Sequence, residues 1–384
     1  MPSPTTPRRA LAWGAVWLAC VWAVALVASR STPWLTGPTG WSPEVARRVT
    51  PLARWDSGWY VGIAESGYQA PPTDVGRETN HAIFPLYPLL MRGVARVTGL
   101  ETSRAGALVS ALALLLATAL FARWVSRRFG EERVRPALLV FLLLPTSFFF
   151  AAVYTESLLV FLSLAAVLAT EQRRDARAAL AGFLAGLARV SGLVLAPYLF
   201  LSSWRARRAA GEPRARALLH AVFVGASPLA GFGLFCLYFR QRFGDAFLFV
   251  RAQHNWAKEP KTVFDGPRLI LQTIASDVTT GRIFHKSPAR TMEGVLLVLF
   301  LVLAFLLAKR HLYPEAAYVF LTVAIVFSSG TFESGGRYVL PAFPAFAVLA
   351  SLSSRPAVFR VFLVLCAATQ AVYVWLFVHW LWVG

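Results

Sequence analysis

A chain of 384 residues that is 57% hydrophobic and 15% charged is too apolar for a water-surrounded core, since soluble domains average about 45–50% apolar and about 25% charged residues. The formal charge of +19 does not point to nucleic acid: the basic residues stand in short clusters between apolar runs, as in the cytoplasmic loops of membrane proteins. Cys20, Cys236 and Cys366 lie singly in apolar runs, which excludes a C-x-x-C zinc site or a disulfide framework.

In chain order, the first apolar run, "LAWGAVWLACVWAVALVA", follows Arg8 and Arg9. It is long for a signal peptide and has no clear small-x-small cleavage site, so a retained helix is expected. Further apolar segments near 104–121, 136–153, 154–170, 178–188, 192–203, 217–239, 293–308, 313–329, 338–353 and 358–378 predict an all-α polytopic membrane protein with about eleven transmembrane helices, given that about 20 apolar residues cross a bilayer. These runs lack the alternation of barrel strands.

The segments 178–188 and 192–203 are too short to cross alone at about 1.5 Å per residue. Basic clusters flank the pair, "EQRRDAR" before it and "RARRAAGEPRAR" after it. Both clusters belong on the cytoplasmic side, so the pair reads as a hairpin with "ARVSG" at its outer turn. One long helix would instead bury Arg189 mid-membrane at high cost. With the N-terminus inside, the basic clusters share the inner side. The long segments of about 29–103 and 240–292 then lie outside and form the active-site face of a single domain, 1–384. "FPLYPLLMRGVARVTG", with Pro85 and Pro88 at its entry, predicts a helix lying along the membrane surface.

The outer face collects an unusual set of polar groups. "RWDSGWYVGIAESGY", residues 54–68, supplies Arg54, Trp55, Asp56, Trp59, Tyr60 and Glu65. His81 follows, then Tyr154, Thr155 and Glu156 at a later outer turn, and Arg189 and Ser191 at the hairpin apex. "FGDAFLFVRAQHNW" adds Gln253 and His254, and "FESGGRYVLPAFP" adds Glu333, Arg337 and Tyr338. Each has an ordinary explanation taken singly: a helix cap, a lipid-headgroup contact or a belt of interfacial aromatics. Taken together they suit sugar transfer from a lipid-phosphate donor. A carboxylate can accept the proton of an acceptor hydroxyl. Arginines, always charged and bidentate toward phosphate, suit the leaving lipid phosphate. Arg337 in "SGGRY" and Arg189 at the hairpin turn are the candidates for that task. Trp55, Trp59 and Tyr60 can pack on a sugar face or a prenyl chain.

The same residues carry a family resemblance. "RWDSGWYVGIAESGY" followed by "HAIFPLYPLLMR" resembles the GPI mannosyltransferase II (PIG-V) family and its bacterial relatives. "YTESLLVFLSLAA", "GLARVSGLVLAPYL", "FGDAFLFVRAQHNW" and "GGRYVLPAFPAF" resemble that family's later motifs in the same order. The resemblance implies a GT-C-type bundle and an inverting mannosyltransferase. The implied donor is polyprenyl-phosphate-mannose and the acceptor a glycolipid, glycan or protein, with no cofactor and no metal. It implies Asp56 and Glu65 as catalytic acids and Arg337 and Arg189 as donor-phosphate ligands. It leaves Arg54, Trp55, Trp59, Tyr60, His81, Glu156, His254 and Tyr338 as substrate contacts. The Ala/Arg/Leu-rich loops point to a bacterial plasma membrane with the site facing outward. The competing reading is a transporter or flippase of a lipid-linked saccharide, which would carry ionisable residues at mid-membrane and internal repeats.

Overall fold

The computed structural model describes residues 5–31, 50–71, 78–254, 265–279, 288–329, 331, 333–352 and 355–383. Among them every regular element is helical. The α-helices in chain order are α1 Thr5–Ser31, α2 Ser57–Ser66, α3 Leu86–Thr98, α4 Thr102–Phe129, α5 Val134–Leu143, α6 Glu156–Glu171, α7 Asp175–Ala188, α8 Leu195–Ala209 and α9 Arg214–Gly225. They continue with α10 Ser227–Phe243, α11 Leu248–His254, α12 Asp265–Thr279, α13 Pro288–Lys309, α14 Tyr313–Ser328, α15 Gly335–Tyr338, α16 Pro344–Leu352 and α17 Pro356–Val378.

The chain is an all-helical multi-pass membrane protein, and among the described residues several of the expected segments are interrupted rather than continuous helices. Among the described residues four helices are long and apolar enough to cross a membrane, within α1, α4, α13 and α17, and α9 and α10 together have the length and composition of a fifth, bent by 41° at the break between them. Proline explains where the other expected segments break. The run 136–153 stops at Leu144, whose ψ of 139° is the extended backbone that a following proline imposes. Pro145 then opens a 3-10 turn, Pro145–Phe150. The run 217–239 bends just before Ser227–Pro228, and 338–353 is split into α15 and α16 by a turn holding Pro341. Each break frees backbone carbonyls in a medium without water to satisfy them. At the α5 break the amide of Gln370 on α17 donates to the carbonyls of Leu142 (2.9 Å) and Leu144 (2.8 Å) and accepts from Trp17 Nε1 (3.0 Å). One buried glutamine thus binds α1, α5 and α17 together.

α7 and α8 form the expected hairpin, joined by Arg189 in extended backbone and a 3-10 turn, Val190–Val194. α7 crosses α10 at backbone contact. A Cβ placed at Gly186 would stand 2.0 Å from the carbonyl oxygen of Pro228, and one at Gly231 would stand 2.0 Å from that of Phe183. Gly182 and Gly186 form a G-x-x-x-G pair, the spacing that lets membrane helices approach this closely.

Two features set the site. Arg54 is fully buried and donates to the carbonyls of Val378 (3.1 Å), Thr50 (3.0 Å) and Ala53 (3.0 Å), tying the entry to α2 against the end of α17. At the other end of α2, Arg92 of α3 donates to the carbonyls of Ala64 (2.6 Å) and Ile63 (2.9 Å), a cation on the helix's negative end. Gly99 at φ +71° ends α3, and the Glu101 carboxylate caps α4 by accepting from the backbone N–H of Ser103 and Arg104. α2 is thus clamped at both ends. The main core runs through the bundle. A second, smaller cluster of Phe84, Phe235, Phe239 and Phe249, with Tyr68 against it, packs α10 and α11 on the loop that follows α2.

Candidate active site

Asp56 precedes the first residue of α2, where a carboxylate commonly caps the helix, yet its side chain makes no capping bond. It turns instead to Arg337 on α15, whose Nη2 donates to Asp56 Oδ2 at 2.8 Å. Trp55, just before it, holds φ +56° and packs edge-on against Trp380 and Trp382. This fixes the backbone from which Asp56 projects.

The pairing continues inward. Arg337 Nε stands 3.8 Å from Glu156 Oε1, and Arg189 Nη1 donates to that same oxygen. Glu156 is the first residue of α6 and fully buried, so the positive end of the helix dipole adds to the two guanidinium groups. The result is an alternating chain, Asp56, Arg337, Glu156, Arg189, drawn from the start of α2, α15, the start of α6 and the α7–α8 turn. Tyr338 packs beside both arginines, its ring 4.2 Å from the Arg189 guanidinium and 5.2 Å from that of Arg337. Tyr154 lies 4.9 Å from Arg337 on another side, and its hydroxyl donates to the carbonyl of Arg54 at 3.0 Å.

These groups stand against a cavity of about 210 Å³. Asp56, Tyr60, Arg189, Ser191, Gln253 and Tyr338 give its polar wall, and Ile83, Phe84, Phe249, Ile325 and Val326 its apolar one. The size is below the range of about 300–1,000 Å³ of drug-sized sites, and the wall presents a polar end beside an apolar one. Burial and then the field of Glu156 push the Tyr60 hydroxyl up from its ordinary value. Burial and then the charge of Asp56 raise the carboxyl of Glu78, an exposed acid. Burial alone would lower Arg337, but Asp56, Tyr338, Tyr154 and Glu156 outweigh it and hold the guanidinium well above its ordinary value. Arg189 is raised on the same balance, burial against Glu156 first. Among the described residues no group of three or more His, Cys, Asp or Glu side chains stands close enough to hold a metal ion.

Of the residues singled out from sequence, Asp56, Tyr60, Glu156, Arg189, Arg337 and Tyr338 meet here. Others do not. Arg54 is buried under backbone carbonyls and cannot touch a substrate. Glu65 is exposed nine positions along α2 from Asp56, about 13 Å away on an ideal helix. His81 is buried in the second aromatic cluster, its Nε2 hydrogen-bonded to the Gln69 carbonyl at 2.9 Å and its ring against Tyr68, Phe239 and Phe243. Trp55 and Trp59 are half-buried and lie off the cavity wall. Arg337 stands behind that wall, on Asp56, rather than in the cavity. The His254 side chain lies outside the described residues. A buried acid not singled out from sequence, Glu293 of α13, accepts from the backbone N–H of Ser334 at 2.9 Å. Its signal was an acid inside an apolar run, "MEGVLLVLF", a placement that usually marks function.

The fold and site are those of a helical membrane bundle with paired carboxylates and arginines gathered at one cavity. The family model described as Mannosyltransferase (PIG-V) matches residues 23–225, more than half of the chain, and the chain belongs to that family. It is 32% identical over 164 residues to the GPI alpha-1,6-mannosyltransferase 2 of Mus musculus, a match covering 40% of this chain and 32% of that protein. It is 30% identical over 148 residues to the GPI mannosyltransferase 2 of Drosophila pseudoobscura pseudoobscura, covering 35% of this chain and 31% of that protein. The matches thus span about a third of the length of these curated relatives. Among solved structures, the Archaeoglobus fulgidus oligosaccharyltransferase in complex with Zn and sulfate aligns at a TM-score of 0.49 and 15% identity, over 95% of this chain and 53% of that one. ArnT from Cupriavidus metallidurans bound to undecaprenyl phosphate aligns at 0.47 and 15%, over 100% and 77%. Likeness at this level assigns no chemistry.

Proposed function

We propose that this chain transfers mannose from polyprenyl-phosphate-mannose to a lipid, glycan or protein acceptor at the outer face of the membrane, with inversion at the anomeric carbon. The observation that carries the reading is the alternating chain of Asp56, Arg337, Glu156 and Arg189, two of whose members, Asp56 and Arg189, line one cavity. Arg337 holds Asp56 Oδ2, which leaves Oδ1 for the acceptor hydroxyl. As that oxygen attacks C1 of the mannosyl group, its proton passes to Asp56. The bond from C1 to the phosphate oxygen breaks, and the electron pair leaves with the polyprenyl phosphate. Charge grows on that phosphate, and Arg189, on the cavity wall, is placed to stabilise it. Arg337, expected from sequence to take the phosphate, orients the base instead. Tyr60 and Tyr338 close the polar end, and Phe84 and Phe249 offer an apolar face to the sugar or the first prenyl units.

Two observations support the outward orientation. α6 begins at the site with Glu156 and ends at Glu171 beside the basic loops, about 22 Å further on. Arg207 is paired there with Asp175 and Glu212, so the basic clusters stand at the opposite end of the helices from Asp56. The buried charges of the site sit at helix starts and turns around one cavity, rather than at mid-helix on several spans. That favours transfer over transport.

The test is to incubate membranes containing the protein with labelled polyprenyl-phosphate-mannose and follow the label. Protein-dependent movement of label onto an acceptor is expected. Label that stays on the donor, as in membranes lacking the protein, would refute the reading.

A further inference from the structure

Arg337 reaches Asp56 from a turn that its own sequence does not favour. Ser334, which leads into α15, holds φ +68° and ψ 7°, the left-handed region in which a residue with a Cβ is disfavoured. Two contacts hold it there. Its N–H donates to Glu293 Oε1 at 2.9 Å, and its Oγ accepts from Arg337 Nη2 at 3.2 Å. Its carbonyl then accepts from the backbone N–H of Arg337 (3.1 Å) and Tyr338 (3.0 Å), which starts α15. The glycines that follow sit against neighbouring side chains: a Cβ at Gly335 would lie 2.8 Å from Leu297 Cδ1, and one at Gly336 would lie 2.8 Å from Thr146 Cγ2. Glu293 and Leu297 are one turn apart on α13 and share a face, so one stripe of α13 seats the turn.

Glu293 is 2% exposed, and the mechanism above gives it no step. A carboxyl buried near the start of an apolar helix is costly unless something uses it. We propose that Glu293 is a positioning residue: it locks the Ser334 turn so that the Arg337 guanidinium arrives between Asp56 and Glu156. What it supplies is a hydrogen-bond acceptor at the right reach, not a charge. The inference rests on the reading of Asp56 and Arg337 given above.

The test is steady-state transfer from polyprenyl-phosphate-mannose by the full-length protein in detergent, with kcat and donor KM measured separately. Glu293→Gln keeps an acceptor at the same distance and should stay within about threefold of the parent in kcat. Glu293→Met keeps the volume but removes the acceptor. It should lower kcat by about 10- to 100-fold, the range expected when a catalytic group is misplaced by about an ångström, with donor KM within about twofold. Glu293→Asp, one methylene short, should also lower kcat, and it keeps the question open to test where the methionine variant does not fold. Because Glu293 acts through Arg337, adding Glu293→Met to Arg337→Gln should cost nothing more than Arg337→Gln alone. A loss in Glu293→Gln equal to that in Glu293→Met, an unchanged kcat in both Glu293→Met and Glu293→Asp, or losses that multiply with Arg337→Gln would each overturn the inference. If Arg337→Gln itself transfers normally, the reading of the site falls and takes this inference with it. If Arg337→Gln is impaired and the Glu293 variants are not, only this inference falls.

Discussion

Asp56 and Arg337 lie 281 positions apart in sequence, yet their side chains share a 2.8 Å hydrogen bond. Motif and side-of-membrane reasoning brings both to one face, but nothing in a linear sequence says which charges meet each other and which meet a substrate. Arg54 shows the same limit. An arginine beside a tryptophan and an acid looks like a ligand, whereas it caps the carbonyls of Thr50, Ala53 and Val378, and only the third dimension supplies Val378. Both arginines are paired, Arg337 with Asp56 and Arg189 with Glu156, but only Arg189 lines the cavity, and on the proposed reading it takes the phosphate. Arg189→Lys keeps the charge but loses the planar fork, so donor KM should rise about tenfold or more with the protein still folded, which steady-state kinetics against donor concentration would show. A KM unchanged in Arg189→Lys and in Arg189→Gln would remove Arg189 from that role. His81 makes a different prediction. Burial lowers its imidazole below the ordinary value, partly offset by the Gln69 carbonyl. The folded state therefore takes up the His81 proton less readily than the unfolded chain, whose imidazole charges below about pH 6.5. Its contribution to stability is complete above that value and is lost as pH falls through the window beneath it. Melting in detergent between pH 7.5 and 5 should show a drop that His81→Phe reduces, and an identical drop in that variant would refute the assignment.

At the scale of helices, hydropathy located almost every apolar segment but misjudged their continuity. Windows of about 19 residues average across a proline, so 136–153, 217–239 and 338–353 read as single helices although Pro145, Pro228 and Pro341 were there to be weighed. The α7–α8 hairpin was legible because basic clusters flank it and neither limb can cross alone. The contact of α7 with α10 was legible too, in the spacing of Gly182 and Gly186, but went unread because glycine signals only close approach and not the partner. That contact predicts a sharp contrast. Gly186→Ala sets a Cβ 2.0 Å from a backbone oxygen, and Gly233→Ala meets nothing within 4 Å. The first should cost about 1–3 kcal/mol, as overpacking does, whereas the second should be neutral or stabilising by up to about 1 kcal/mol, since alanine is the better helix former. Thermal unfolding in detergent would separate them, and equal melting points would mean that the two helices do not cross as described.

For the molecule as a whole, the bundle places its basic loops at one end and its paired carboxylates and arginines at the other. In a background lacking Cys20, Cys236 and Cys366, Ser66→Cys should react with an impermeant maleimide on intact cells. Arg174→Cys should react only after lysis, and the reverse pattern would invert the orientation. The central claim is that Asp56, held by Arg337, is the base for sugar transfer. Asp56→Asn keeps the size of the side chain and an oxygen that can still accept from Arg337, and removes only the basicity. The direct measurement is single-turnover transfer of labelled mannose from polyprenyl-phosphate-mannose by the purified parent and by Asp56→Asn, with donor binding measured in parallel. A rate lower by about 10²–10⁴-fold, the usual share of general-base catalysis, is expected, with donor binding retained. Transfer at the parental rate by a folded Asp56→Asn protein would contradict the claim.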